Sequence, residues 1–493
     1  MRIVHAIHDF LPRHQAGSEL YAFELCRAQR GSHDVTVLCA DFDPARPHGV
    51  VAWRVHEGLP VVEIVNNWAC ASFEETWRPP LVADRIAHVL RAVRPDVVHV
   101  HSLFNLSFDL PSIAREQGAK VVATLHDYTL VCPSGGQRIH RAGEHVCRTI
   151  DTARCARCFR ESIFYAHLSL GRLAAATNRP GLLMTAARAV RRRFPSLSGN
   201  LARAARRLPP TLLPAVTPAD VEARLAAARR VFDDVDLFVA PSRSMAEEFK
   251  ALGVPPARIR VSDYGFPGVR GVSDWSDTPQ TGVRGVSDES DTPQTGVRGV
   301  RPVSEVSETC QTPRRPIRAG GRLRIGYVGT LVWHKGVHVL IDAVRGLPVD
   351  AYELVIYGNP DVFPDYAAEL RTQAAGLPVR FAGAVPRARI ADAYADVDVL
   401  VVPSLWLENS PLVIHEAFMA RVPVVAARIG GIADLVDDGR NGLLYDSPGQ
   451  LHAILARLIA SPGRLTLLAA NAPAVKSIEQ DAREWDAVYA GVA

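Results

Sequence analysis

Two doubly wound α/β domains facing each other across a cleft are what this sequence predicts, and three observations predict it. Short β-branched runs alternate with amphipathic stretches from the first residue onward. The alternation stops near residue 266 and restarts at residue 321. Between the two lies a polar segment with an internal repeat. Strands separated by helices argue a parallel sheet covered on both faces. With 493 residues, 48% of them hydrophobic, the chain has material for two such cores.

The elements follow in order. "RIVHAI" reads as a strand, "GSELYAFELCRAQR" as an amphipathic helix and "DVTVLCA" as the next strand. "DVVHVHS" and "KVVATLHD" are β-branched runs ending in polar residues, and "VDLFVAPS" leads into the helical "SMAEEFKAL". These belong to a first domain over residues 1–266, with a cysteine-containing loop at 132–158 and an arginine-rich helical insert at 160–230. The stretch 160–207 holds ten Arg against one Glu, which reads either as a solvated face or as a basic amphipathic surface for anionic lipid. Residues 267–320 read as a disordered linker: "GVRGVSDWSDTPQT" recurs as "GVRGVSDESDTPQT", a period of 14 too short for a solenoid and too polar for a core. A second domain over 321–474 contains the strands "LRIGYVGTL", "YELVIYG", "VRFAGAV", "VDVLVVPSLW", "VPVVAARIG" and "GLLYD". In "SIEQDAREWDAVYAGVA", Ile478, Trp485, Val488 and Tyr489 share one helical stripe.

Composition excludes several classes. A net charge of +4 gives no reason to expect nucleic acid as a partner. No run approaches about 18 apolar residues, and the N-terminus lacks the basic and apolar regions of a signal peptide, so a cytoplasmic protein is expected. The arginine bias and abundant alanine point to a GC-rich bacterial genome. Reduced thiols are then the default for the eight cysteines. Cys155 and Cys158 form a C-x2-C knuckle that, with Cys132 and Cys147, is either a structural zinc site or four free thiols.

The chemistry concentrates in "ENSPLVIHE", residues 408–416. Ser410 and Pro411 predict an N-cap and first helical position, which puts Glu408 before the helix and Glu416 on its second turn. Free N–H groups at that helix end suit an anion. An earlier strand ends in Gly329-Thr330 and is followed by Lys335-Gly336, and a compact ammonium near a helix start suits a phosphate. A diphosphate carrying hydroxyl-rich rings would use the N–H groups, the lysine and both carboxylates. A dinucleotide-dependent oxidoreductase would instead need G-x-G-x-x-G after the first strand, and "HDFLPRHQAGSE" does not supply it.

In "GTLVWHKGVHVLIDA", "ENSPLVIHEAFMARVPVVAARIGGIADLVDDGRNGLLYD" and "TLHDYTLVCPSG" the chain resembles the family 4 glycosyltransferases, retaining enzymes of the Rossmann-like two-domain GT-B architecture. The resemblance implies transfer of a hexose from a nucleotide diphosphate sugar, the co-substrate, without a metal or other cofactor in catalysis. It implies donor contacts from Gly17 and Ser18, from Thr330 and Lys335, from Asn409, Ser410, Pro411 and Leu412, and from Glu416 on the ribose. It implies catalytic positions at Glu408, near the donor hexose, and at His126, beside the reacting sugar. Two positions depart from the pattern: Thr330 stands where arginine is common, and Ala16 where glycine is. The resemblance also implies that residues 475–493 cross back as a helix onto the first domain. The acceptor by family habit is a saccharide or lipid-linked oligosaccharide in cell-surface polysaccharide or glycolipid synthesis, with the enzyme peripheral at the inner face of an anionic membrane. The rival expectation is a catalytically silent scaffold that binds a partner or anionic surface through its arginine-rich helices.

Overall fold

The computed structural model describes residues 1–43, 45–140, 145–162, 164–165, 168–169, 215–267 and 321–492. The repeat at 268–295 and most of the arginine-rich insert lie outside the described residues.

The first sheet contains β1 (Arg2–Ile7), β2 (Asp34–Asp41), β3 (Val51–His56), β4 (Leu59–Val65), β5 (Val97–Val100), β6 (Lys120–Thr124), β9 (Leu237–Ala240) and β10 (Ile259–Val261). Its order is β10-β9-β6-β5-β1-β2-β4-β3. Every pairing is parallel except β3 with β4. That hairpin turns at Glu57 and Gly58, both at positive φ as a tight two-residue turn requires. Two short strands, β7 (Ile139–His140) and β8 (His145–Val146), form a separate antiparallel pair.

The second sheet is parallel throughout, with β11 (Leu323–Val328), β12 (Tyr352–Tyr357), β13 (Val379–Gly383), β14 (Val399–Val402), β15 (Val424–Ala427) and β16 (Gly442–Tyr445) in the order β13-β12-β11-β14-β15-β16. Strand order therefore reverses between β11 and β14, and in the first sheet between β1 and β5. A ligand in a doubly wound sheet binds outside the carboxyl ends of the strands at such a reversal. Both reversals contribute loops to one cleft.

The helix Ile478–Val492 packs on the first domain. Its Ile478, Ala482, Trp485, Val488 and Tyr489 share a buried cluster with Ile3, Tyr21, Leu25, Val97 and Val122. The end of the first domain runs beside the returning chain: Phe266 N–H donates to Lys476 O at 2.9 Å, and Ile478 N–H to Phe266 O at 2.8 Å. Lys476 Nζ fixes the crossing by donating to Ser262, Asp481 and Glu484 at 2.9, 2.8 and 2.9 Å. The chain thus leaves the first domain at Phe266 beside the point where it returns at Ile478.

Candidate active site

The loops after β11 and β14 bring Lys335 and Glu408 together. Lys335 Nζ donates to Glu408 Oε1 at 2.7 Å, and Ser404 Oγ donates to the same oxygen at 2.5 Å. Glu408 is 2% exposed, whereas 28% of the Lys335 side chain reaches solvent. Its ammonium also lies 5.1 Å from the centroid of the Trp406 ring. The next residue explains the approach. Gly336 has φ +71, and a Cβ there would run into the carbonyl oxygen of Pro403, at the end of β14. Only glycine lets the lysine loop close on that strand. Gly430 and Gly431 hold the other side: Gly431 N–H donates to Glu408 O at 2.7 Å, and any Cβ on Gly431 would strike Asn409 O.

The helix that follows runs Leu412–Met419, with Pro411 at its N-cap and no side-chain cap. The expected Ser410 cap is therefore corrected. Ser410 Oγ is drawn instead to the first domain, donating to Asp263 Oδ1 at 2.7 Å and lying 2.8 Å from His415 Nε2. Glu416 does fall on the second turn, but its carboxylate is not open: Arg387 bonds Oε1, and Tyr394 O–H donates to Oε2 at 2.7 Å. Neither partner was picked out from the sequence. Arg387 follows β13 at a carboxyl edge, which was the available signal. Thr330 is exposed beside the cleft, its carbonyl accepting from Tyr327 O–H at 2.8 Å.

Across the cleft, a Cβ on Gly17 would sit 3.2 Å from Leu412 Cδ1, so the first glycine-containing loop abuts the start of that helix. Ser18 Oγ donates to Glu19 Oε2 at 3.0 Å. His126 turns its ring into the first domain. Its imidazole is buried, with Nε2 3.0 Å from His101 Nδ1 and Nδ1 2.8 Å from Tyr264 Oη. Burial pulls its pKa down to about 3, so it is a neutral ring with both nitrogens engaged and not a free acid or base toward a sugar. What it offers the second domain is its carbonyl oxygen, which accepts from Asn409 Nδ2. The same Nδ2 reaches Tyr264 Oη at 3.1 Å, and Asn409 Oδ1 accepts from Ser410 N–H at 2.6 Å.

His101 continues inward. Its Nε2 is 3.0 Å from His5 Nδ1, and His5 Nε2 is 3.0 Å from Gln29 Oε1. Gln29 Nε2 donates to Tyr489 Oη at 3.3 Å, and Tyr489 Oη is 2.8 Å from His99 Nδ1. His99 Nε2 lies 2.7 Å from Thr124 Oγ1. Burial drives His5 down to about 3 and His99 and His101 well below their usual value. His5, His99 and His101 could by distance surround a metal ion, yet each of their nitrogens already has a hydrogen-bond partner. The trio reads as a polar core, not a ligand set.

A second cluster faces the cleft. Glu19 is fully buried and accepts from His14 Nδ1 at 2.8 Å and from His8 Nε2 at 2.9 Å. Burial opposes the charge of Glu19, but hydrogen bonds from His14 and His8 outweigh it and hold the carboxyl far below its usual range. The His14 pKa is raised by its bond to Glu19; that of His8 is raised because the bond and charge of Glu19 overcome its burial. These three residues also stand at metal-ligand distance; the raised imidazoles make them an ion-paired cluster first. Its stability contribution has a definite sign. The depressed Glu19 contributes above its ordinary value of 4.5, and the raised histidines contribute below theirs of 6.5, fading as pH climbs through their raised pKa values. Glu19→Gln is therefore expected to lower Tm most between those values and progressively less toward pH 9. A largest difference on the order of 2–4 °C corresponds to about 1 kcal/mol in a domain of this size. Thermal scans of both proteins across pH check it; a difference that grows toward pH 9 would refute the ion-pair reading.

Comparison with known proteins agrees with this geometry. A family model described as glycosyltransferase family 4 matches residues 16–159, and one described as glycosyl transferases group 1 matches residues 322–461. Together they cover more than half of the chain. A D-inositol 3-phosphate glycosyltransferase of Catenulispora acidiphila is 42% identical over 118 residues, 23% of this chain and 26% of that one. The phosphatidyl-myo-inositol mannosyltransferase of Mycobacterium leprae is 35% identical over 149 residues, 29% of this chain and 38% of that one. The chain thus spans about a quarter to two fifths of the length of these curated relatives. Among solved structures, Anabaena HepE in complex with UDP and glucose aligns over 99% of both chains at a TM-score of 0.57 and 16% identity. Sucrose-phosphate synthase from Thermosynechococcus elongatus aligns over 99% of this chain and 96% of its own at 0.56 and 15%. These likenesses concern the fold. With domain models matched on both sides of the cleft and two doubly wound sheets facing it, the chain belongs to the family 4 glycosyltransferases and has their GT-B architecture.

Proposed function

We propose that this protein transfers a hexose from a nucleotide diphosphate sugar to an acceptor with retention of anomeric configuration. The observation that carries the reading is the Lys335–Glu408 pair at the strand-order reversal of the second sheet, 2.7 Å apart, with the carboxylate buried and the ammonium partly exposed. In this reading the diphosphate lies against Lys335 and the first N–H groups of the helix Leu412–Met419. As the sugar bond breaks, negative charge grows on the leaving phosphate, and a preorganised ammonium in a partly dry site stabilises it there. Glu416 takes the ribose hydroxyls, with Arg387 moving aside or sharing the carboxylate. Glu408 orients Lys335, its Oε1 accepting from both Lys335 and Ser404. In this reading the acceptor attacks from the face the phosphate leaves. The acceptor enters from the side of the Gly17–Ser18 loop.

The names of the curated relatives, which include inositol phosphate glycosyltransferases and a phosphatidyl-inositol mannosyltransferase, support an acceptor in glycolipid or cell-surface polysaccharide synthesis. A cytoplasmic enzyme working at the inner membrane face fits that acceptor. Nucleotide sugars carrying UDP, GDP and ADP, tested by protection from thermal unfolding, should single out one donor, raising Tm by several degrees at saturation. The anomeric proton of the transferred sugar, followed by NMR, should keep the donor's configuration. An inverted product would overturn retention, and absence of binding by every donor would favour the silent scaffold.

A further inference from the structure

The segment "HDFLPRHQAGSE", residues 8–19, leaves the carboxyl end of β1 and leads into the helix Gly17–Gln29. It carries three side chains that the donor site does not use. His8 is the first residue after β1, His14 lies in the loop, and Glu19 is in the first turn of the helix. Three pieces of backbone thus aim polar atoms at one spot. His8 Nε2 stands 2.9 Å and His14 Nδ1 2.8 Å from the same carboxylate oxygen, Glu19 Oε1. The two imidazole rings meet nearly edge to face, at 71° with centroids 5.9 Å apart. The three atoms that could bind an ion all lie within 4.8 Å of one another.

The surroundings of Glu19 are a second observation. The residue is 0% exposed, and a buried carboxylate is tolerated only beside a cation or a metal. Among the described residues no arginine or lysine bonds it. Arg13, in the same loop, turns instead to Asp9, Asp41 and Glu63. Apart from the two imidazoles, Glu19 has only Ser18, whose Oγ donates to Oε2 at 3.0 Å.

This cluster differs from His5, His99 and His101 in where its bonds lead. Those three rings are buried and bond outward to Gln29, Tyr489, Thr124 and His126, so an ion among them would break a core. The bonds of His8, His14 and Glu19 run among the three residues that an ion would join. Half of the His14 side chain is exposed, which leaves a way in.

We propose that His8 Nε2, His14 Nδ1 and Glu19 Oε1 are the three protein ligands of a divalent cation, zinc in the first instance, with an open position toward the exposed side of His14. Two imidazoles and a carboxylate are the donor set of a zinc site that keeps a water or hydroxyl oxygen as its fourth ligand. Tetrahedral zinc with bonds of about 2.0–2.1 Å holds its ligands about 3.3 Å apart, so both contacts to Glu19 must widen by about 0.5 Å. His14 sits in an exposed loop and can yield that distance. The ion replaces the protons shared between the imidazoles and the carboxylate, and these pass to solvent. Ser18 then holds the carboxylate's orientation from outside the ligand set. Lys335, Glu408 and Glu416 take no part, so the ion site stands independently of the transfer reading. In that reading the open position lies beside Gly17 and Ser18, where the acceptor enters, and only this placement rests on it.

The test uses the full chain, stripped with a chelator and then titrated with zinc or cobalt. Wild type should bind about one zinc per chain more than Glu19→Gln or His14→Asn. In competition with a chromophoric chelator, each variant should lose at least about a hundredfold in affinity at this site, and Ser18→Ala about tenfold, as loss of an outer partner does. Cobalt should give the visible d–d absorption of a four-coordinate nitrogen and oxygen site, missing from both ligand variants. Zinc should also slow acylation of His14 by diethyl pyrocarbonate, followed by peptide mass spectrometry. Because His14 is half exposed, His14→Asn keeps the test decisive if Glu19→Gln fails to fold. Equal zinc binding by wild type and His14→Asn would overturn the proposal. So would a cobalt spectrum made up only of thiolate charge transfer, which would place the metal on cysteines.

Discussion

Lys335→Met is expected to lower kcat/KM by at least about a hundredfold, the loss typical when one preorganised charge-stabilising donor is removed. The same substitution should destabilise the second domain by about 2 kcal/mol. It strands the Glu408 carboxylate, 2% exposed, with Ser404 as its remaining donor. That figure sits below the 3–5 kcal/mol seen for fully buried pairs because Lys335 is 28% exposed and part of the interaction is screened. The double variant Lys335→Met, Glu408→Gln separates the two effects. It removes the stranded charge, so stability should return to within about 1 kcal/mol of wild type, while transfer should stay as low as in the single variant. Denaturant unfolding and steady-state kinetics on the three proteins measure both. Recovery of transfer in the double variant would show that Lys335 serves only to neutralise Glu408.

Truncation before Ser477 should cost more than any point substitution outside the cleft. Five apolar residues of the helix Ile478–Val492 complete a core that starts at Ile3 and includes Val97 and Val122. At about 1.5–3 kcal/mol for each large side chain, this burial is comparable with the whole stability of a domain. Polar groups would be stranded as well: Tyr21 O–H donates to Asp481 Oδ2 at 2.8 Å, and Trp485 Nε1–H donates to Tyr21 Oη at 3.0 Å. The first domain should therefore lose its cooperative unfolding transition and the enzyme its transfer activity. Donor affinity should change little, because the proposed donor contacts lie mainly in residues 321–474. Trp485→Ala should give a milder form, about 3–5 kcal/mol on the first domain alone. Two-transition denaturation curves and donor titration calorimetry make the comparison; an unchanged first-domain transition in the truncated protein would be falsifying.

The strands were legible because a buried parallel strand is a short β-branched run bounded by turn residues, and thirteen residues of helix between two such runs leave few alternatives. The β3–β4 hairpin was not singled out. It lies at the sheet edge, exposes Trp53 and Val55, and interrupts the strand–helix alternation that guided the rest of the reading. In the site, residue types were legible and partners were not. "ENSPLVIHE" announces two carboxylates and a helix start, but nothing local says that Glu408 meets a lysine 73 positions earlier or that Arg387 holds Glu416. The Ser410 cap failed because a hydroxyl that can bond its own helix can equally bond Asp263 from the other domain, and tertiary contact prevailed. His126 read as a site histidine through the family resemblance; three other histidines, on β1, β5 and the residue after β5, supply the company that turns its ring inward.

Those imidazoles are neutral, so each has a single ring proton and must donate on one side and accept on the other. Gln29 sets the sense: its Oε1 can only accept, so His5 donates from Nε2 and accepts at Nδ1. His101 then donates to His5, His126 donates to His101, and the Tyr264 hydroxyl donates to His126 Nδ1. Asn409 meets the series in the same sense, because its Nδ2 donates to Tyr264. Gln29 Nε2 in turn donates to Tyr489 on the terminal helix. One buried amide, braced by the terminal helix, thereby fixes the tautomers of three rings that end at the contact with the second domain.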